Sequence, residues 1–162
     1  YSSGVPGVAR LQLQETSGSY PTISTPADAV LLNRWSHVAV TFEQVNAQRA
    51  VRVYINGSAV PLSRNGSADL SLSDDRLTSL FTGFGVGGNG SIGKSRESGT
   101  SDNHFVGGID EIRIWDVART QAEIQSSMLF RMSGTNVEAG LLASYSGDRI
   151  LPGTNGQYFS VG

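Results

Sequence analysis

Two stretches of this chain alternate apolar and polar residues with a period of two, and an Asn-Gly pair closes the second. Trp35-Ser-His-Val-Ala-Val-Thr-Phe42 puts Val38, Val40 and Phe42 on one side of an extended strand and His37, Ala39 and Thr41 on the other. The stretch Arg49–Ile55 repeats the pattern with Val51, Val53 and Ile55. Asn56-Gly57 then supplies two positive φ angles, as a type I′ hairpin turn requires, and Ala59-Val60-Pro61-Leu62 returns. A period of two cannot be satisfied by a helix, so the chain is constrained to antiparallel sheets.

The remaining elements fit that frame. Leu11 and Leu13 alternate as in a half-buried strand, and Tyr20–Pro26 reads as extended or looped between two prolines. Asn65-Gly66 repeats the turn signal, Leu70 and Leu72 alternate, and Leu77–Phe84 reads as a strand or a tight turn. Phe105–Trp115 reads as a single long strand, and Trp35 and Trp115 read as packing residues. A helix is predicted near residues 120–128. Thr120 and Glu123 there form a capping box, and Ile124 and Met128 fall four apart on one face.

The segment Gly88–Ser95 matches the phosphate-loop pattern G-x-x-x-x-G-K-S/T, with Lys94 as its lysine, and overlaps a G-x-G-x-x-G at Gly85, Gly87 and Gly90. Such loops work only when a strand leads in and a helix follows, so that amides and a helix N-terminus cradle the phosphates. Here Arg-Glu-Ser-Gly-Thr-Ser-Asp-Asn follows, without helical spacing, and then strand-like residues. The motif reads as a Gly-rich loop between strands, and nucleotide is excluded as a partner.

Bulk properties narrow the functional classes. Charged residues make up 16% of the 162, below the usual quarter, and the net charge is −2. Neither nucleic acid nor an anionic membrane surface is implied. No apolar run reaches spanning length, so membrane insertion is not expected. With no cysteine, thiolate zinc sites, disulfide frameworks and thiol catalysis drop out. No signal peptide is visible, and Tyr1 in place of Met predicts a processed or excised piece.

Five segments in order carry a family resemblance: Trp35–Phe42, Val51-Arg-Val-Tyr-Ile-Asn-Gly57, Ser91-Ile-Gly93, Phe105-Val-Gly-Gly-Ile-Asp-Glu-Ile-Arg-Ile-Trp-Asp116 and Ala122-Glu-Ile124. Over roughly residues 30–130 the chain resembles the laminin-G-like jelly rolls of the concanavalin-A-like lectin and glucanase group, relatives of the pentraxins. The resemblance implies an all-β, antiparallel two-sheet jelly-roll sandwich with one short helix near 120–128. It places the sandwich in residues 1–134. A C-terminal extension, 135–162, would complete the sandwich or contact a neighbour. The family carries strands ahead of the matched part, and the short stretch before Trp35 predicts that they are short or missing here.

What the resemblance implies for function is a non-catalytic binding or adhesion module, outside the cell or on a cell or virion surface, recognising glycan or protein ligands. The alternative is a structural assembly subunit (a surface fibre, layer or virion decoration) whose partners are copies of itself joined by strand complementation. Glycoside hydrolysis is the remote alternative. Glucanases on this fold place carboxylates at alternate positions of one strand, whereas Asp110 and Glu111 are adjacent and would point to opposite faces. Glu111 reads as the cross-strand ion-pair partner of an Arg on the exposed face, and Asp110 as a buried hydrogen-bond anchor. His37, His104 and Tyr54 are the candidate ligand-binding side chains, with Tyr20, Tyr145 and Tyr158 as further aromatics. No cofactor is required. Calcium is the one ion the resemblance raises, and Asp74, Asp75, Asp102, Asn103 and Asp110 are its candidate oxygen donors.

Overall fold

A computed structural model describes residues 7–12, 22–45, 48–64, 92–93, 105–131, 138–146 and 160–161. The described strands are β1 (Arg10–Gln12), β2 (Thr22–Ser24), β3 (Val38–Val45), β4 (Gln48–Ile55), β5 (Ser58–Val60), β6 (Ser63–Arg64), β7 (Ile112–Trp115), β8 (Leu141–Ser146) and β9 (Ser160–Val161). One helix, α1 (Gln121–Ser127), lies among the described residues. Every pairing is antiparallel, in sheets ordered β1-β2-β6, β3-β4-β5 and β7-β8-β9. The chain divides into two compact units, Tyr1–Asn89 with Arg119–Met128, and Gly90–Ala118 with Leu129–Gly162.

In the first unit, two of the sheets face each other. Ile23 on β2 and Val51 on β4 are buried in one apolar cluster, with Leu11, Phe42 and Leu62 packed against it. That cluster joins a β1-β2-β6 side chain to a β3-β4-β5 side chain, which is two-layer packing. Ile23 is the most deeply buried described residue, at 1% exposure. The segment before Trp35, expected to be short of strands, contributes both β1 and β2 to this layer.

The β3–β4 register follows the alternation: Val40 lies opposite Val53 and Phe42 opposite Val51. Burial, however, is not one-sided. Val51, Val53 and Ile55 are buried on one face of β4, and Tyr54 is buried on the other, as is Thr41 of β3. β4 is central in its sheet, with a neighbour on each side, and carries buried side chains on both faces. Val38 and Val40 on β3 remain exposed.

The Asn56-Gly57 turn forms as the sequence predicts, with φ angles of 50° and 76° and Ile55 paired to Ser58. It also holds two further elements. His37 N–H donates to Asn56 Oδ1 and Asn56 N–H donates to His37 O, both at 2.9 Å. Gln125 Nε2 donates to Gly57 O at 2.9 Å, so α1 rests on the turn. Helix formation at this point is local chemistry. Thr120 caps the N-terminus, Glu123 closes the capping box, and Ile124 buries the inward face.

In the second unit, β7 pairs with β8 through a bulge between Ile114 and Trp115, and β8 carries β9 at Tyr145–Val161 and Ser146–Ser160. The long strand expected over Phe105–Trp115 is only Ile112–Trp115. Glu111 has φ 52°, a left-handed conformation that breaks a strand, and Asp110 Oδ1 accepts from the Glu111 N–H at 2.8 Å. The strand signals at Leu70, Leu72 and Leu77–Phe84 and the turn at Asn65-Gly66 lie outside the described residues.

Gly57→Ala is expected to lower stability by about 2 kcal/mol, from the left-handed conformation and the crowding of a Cβ against α1. A Cβ there would lie 2.7 Å from Gln125 Cγ. A urea midpoint unchanged from the parent would contradict it. Glu123 gives a pH prediction. Hydrogen bonds from the Thr120 backbone, then from its hydroxyl, hold the carboxyl below its ordinary pKa. A depressed folded pKa stabilises the fold fully above the unfolded value of about 4.3, and that contribution disappears as pH falls through the folded value. The melting temperatures of the parent and Glu123→Gln should therefore differ at neutral pH and converge in acid.

Candidate functional site

Segment Val30–His37 leads into β3 and is held at both ends. At its start, Val30 N–H donates to Gly7 O at 2.8 Å. Just upstream, Thr25 N–H donates to Ala9 O and Ala9 N–H to Thr25 Oγ1, each at 3.0 Å. Gly7 is required at that approach: its φ is 72°, and a Cβ would lie 2.8 Å from Asp28 Cα. At the far end, the paired hydrogen bonds between His37 and Asn56 fix the chain as it enters β3. Asp28, just ahead of the segment, and Asn33 within it each adopt φ 57°, a left-handed conformation that Asn and Asp tolerate better than most residues.

The segment displays a group of side chains in solvent. Trp35 is 74% exposed, with Leu31, Leu32, Asn33 and Arg34 exposed beside it in sequence. A large aromatic face flanked by polar groups on a tethered loop can stack on an apolar ligand face while hydrogen bonds set its orientation. This corrects the assignment of Trp35 to packing. β3 starts at Val38, after this segment, so Trp35 never enters the sheet. The sequence signal is Asn33, two residues ahead, a residue type that tolerates the left-handed conformation it adopts before β3 begins.

The expected site residues do not assemble around it. Tyr54, at 5% exposure, is enclosed opposite Ala39 and offers no surface for stacking. This burial corrects the expectation of an accessible ring. His37 is half-buried, and its backbone joins the turn. Tyr145 is half-buried on β8, between Ile112 and Val161. His104, Tyr20 and Tyr158 lie outside the described residues, as do Lys94 and most of the phosphate-loop match.

Among the described residues, Glu43, Asp110 and Glu111 are engaged by other groups. Glu111 lies 3.0 Å from Arg113 Nη2 and 3.9 Å from Arg131 Nε, and Arg113 also donates to Phe130 O. The Arg113 side chain is only 9% exposed, so this pair ties the chain after α1 to β7. Glu111 is thus an arginine's ion-pair partner as expected, but it lies ahead of β7, and its nearer partner, Arg113 on β7, is mostly buried where an exposed cross-strand arginine was expected. Asp110, expected to be a buried anchor, is exposed. The left-handed Glu111 turns the backbone there, so the opposite-faces rule for strand neighbours does not apply to the two. Glu43 pairs with Arg52, whose pKa that hydrogen bond raises; both side chains are nearly half exposed, so the pair adds little stability.

Of the five calcium donors considered, Asp74, Asp75, Asp102 and Asn103 lie outside the described residues. Among the described residues no three His, Cys, Asp or Glu side chains gather as a metal site, and the Oδ1 of Asp110 is used by its own turn. No helix among the described residues is long and apolar enough to cross a membrane.

Residues 1–125 match the family model described as the concanavalin A-like lectin/glucanases superfamily, of laminin-G type. The chain belongs to this superfamily. Its all-β antiparallel sandwich accounts for the facing sheets of the first unit and the single short helix seen among the described residues. The superfamily match takes in β1 and β2 as well as the segments from Trp35 onward. No curated protein and no solved structure matches the chain. Superfamily membership supports a carbohydrate- or protein-binding module as the coarse functional class.

Arg113→Ala is expected to destabilise the chain by about 2 kcal/mol, since it leaves a mostly buried Glu111 carboxylate without its nearer partner. Denaturant unfolding at neutral pH measures this. A loss no larger than that of Arg52→Ala, whose pair is far more exposed, would contradict the structural role.

Proposed function

We propose that this chain is a non-catalytic binding module that acts outside the cell or on a particle surface, and that it takes a glycan ligand at the Trp35 loop. The observation that carries this reading is the exposed indole on a loop held at both ends, within a superfamily described by lectins and glucanases. A pyranose presents an apolar C–H face to an indole and hydroxyls to its rim. Asn33 and Arg34 stand beside Trp35 in sequence to meet those hydroxyls. Because the loop is already tethered, little ordering cost falls on binding. Catalysis has less support, because Glu43, Glu111 and Glu123 are each engaged by a cation or a cap.

A second reading, a structural subunit assembling through strand complementation, is favoured by one observation. The segment Ser160–Val161 seats on β8 as a separate edge strand, reached across a long connection, so this sheet accepts an added strand.

A glycan array read with and without added calcium tests the first reading. Trp35→Ala should reduce binding to any captured glycan by about tenfold or more, the usual effect of losing a central aromatic anchor. Far-UV circular dichroism should stay unchanged. Full binding by folded Trp35→Ala would remove the Trp35 site, and no capture by the parent chain together with concentration-dependent light scattering would favour assembly.

A further inference from the structure

The chain contains three identical tripeptides, Asn-Gly-Ser, at Asn56, Asn65 and Asn89. Asn followed by Gly is open to attack of the backbone nitrogen on the side-chain amide, because glycine has no Cβ to obstruct ring closure. We propose that Asn56 is a deamidation site gated by the docking of α1 on the β4–β5 turn. It is closed while the helix is seated and converts once the helix lifts.

The chemistry needs only water and hydroxide. The Gly57 amide nitrogen gives its proton to hydroxide and attacks Asn56 Cγ, forming a new C–N bond. The side-chain nitrogen leaves as ammonia, taking a proton from water, and a five-membered succinimide remains. Water then adds to one of its two carbonyls and opens the ring, leaving aspartate or isoaspartate. Nothing is oxidised or reduced.

Each participating group is restrained in the folded chain. The Asn56 side chain is held through Oδ1 by the His37 N–H, and its own N–H is held on His37 O. Swinging Cγ onto the Gly57 nitrogen requires leaving that pair. The nucleophile is shielded as well. Gly57 is buried although Asn56 is exposed. A Cβ on Gly57 would lie 2.7 Å from Gln125 Cγ and 3.1 Å from Met128 Sδ, which shows how closely α1 covers it. Burial disfavours the deprotonated amide, and Gln125 fixes the neighbouring carbonyl. Lifting α1 removes the cover and one hydrogen bond together.

The product also acts on the gate. Isoaspartate adds a methylene to the backbone of a two-residue turn, and the Ile55–Ser58 register cannot close over it. The seat of α1 is lost with the turn. Aspartate keeps the turn length and an acceptor for the His37 N–H, so its effect is mild. Conversion is thus a one-way record of helix opening.

The test is incubation of the whole chain at mildly alkaline pH, in buffer and in urea, followed by peptide mapping with isoaspartate resolved by mass spectrometry. In urea the three Asn-Gly-Ser sites should convert at similar rates, since their sequences are identical and no fold distinguishes them. In buffer Asn56 should convert at least about tenfold more slowly than in urea, as expected for a site reached only by local opening. Gln125→Ala, which removes the latch, should raise the native rate at Asn56 roughly fivefold. If Gln125→Ala fails to fold, Gln125→Met keeps the side-chain length without the donor and gives the same reading. Equal rates at Asn56 in buffer and in urea, or a native rate unmoved by the folded Gln125 variant, would overturn the proposal.

Discussion

The hydrogen bonds converging on Asn56 and Gly57 organise most of the first unit. One turn closes the β4–β5 hairpin, receives the entrance to β3 through His37, and seats α1 through Gln125. Each contact uses a different property of the same two residues. Asn tolerates the left-handed conformation and offers a side-chain acceptor. Gly supplies the second positive φ and the space into which a helix can settle. Few other pairs at these positions would keep all three contacts. The turn also fixes one end of the Trp35 loop, so the candidate binding surface inherits its geometry from a hairpin closed for reasons of strand twist.

The apolar cluster around Ile23 and Val51 supplies the other constraint. It holds a sheet containing the first two strands against the sheet that contains the turn. The segment ahead of Trp35 therefore serves the core as well as the loop, because Gly7 and Ala9 tether the bend while Leu11 enters the cluster. The second unit relies on a different device. There a mostly buried arginine, Arg113, draws Glu111 and the chain beyond α1 onto β7 beside a residue in a left-handed conformation. Carboxylates that might have suggested hydrolysis are taken up in holding backbone.

Where local chemistry is decisive, the sequence could be read directly. The Asn-Gly turn and the Thr120–Glu123 capping box each depend on residues a few positions apart, and each appears as expected. Phe105–Trp115 shows the opposite case. Its apolar content is strand-like throughout, yet Asp110 offers a side-chain oxygen to the next amide, and Glu111 turns left-handed with its carboxylate held by Arg113 and Arg131. The apolar pattern of the segment does not register these polar contacts, so the strand read from it is too long. Trp35 was misplaced for a related reason. An aromatic next to a strand usually packs, yet Trp35 stands in solvent on a segment tied to distant Gly7 and Asn56.

What the sequence determined alone is the antiparallel sheet class, the superfamily and the position of α1, because alternation, turn residues and caps act over short range. Tertiary structure decided which faces of those elements are covered. Tyr54 is covered although it lies on the β4 face opposite Val51 and Val53, and the Trp35 indole is exposed on a segment tied at both ends. Burial is set by neighbours remote in sequence, and a periodic pattern indicates that a face exists without specifying what will cover it.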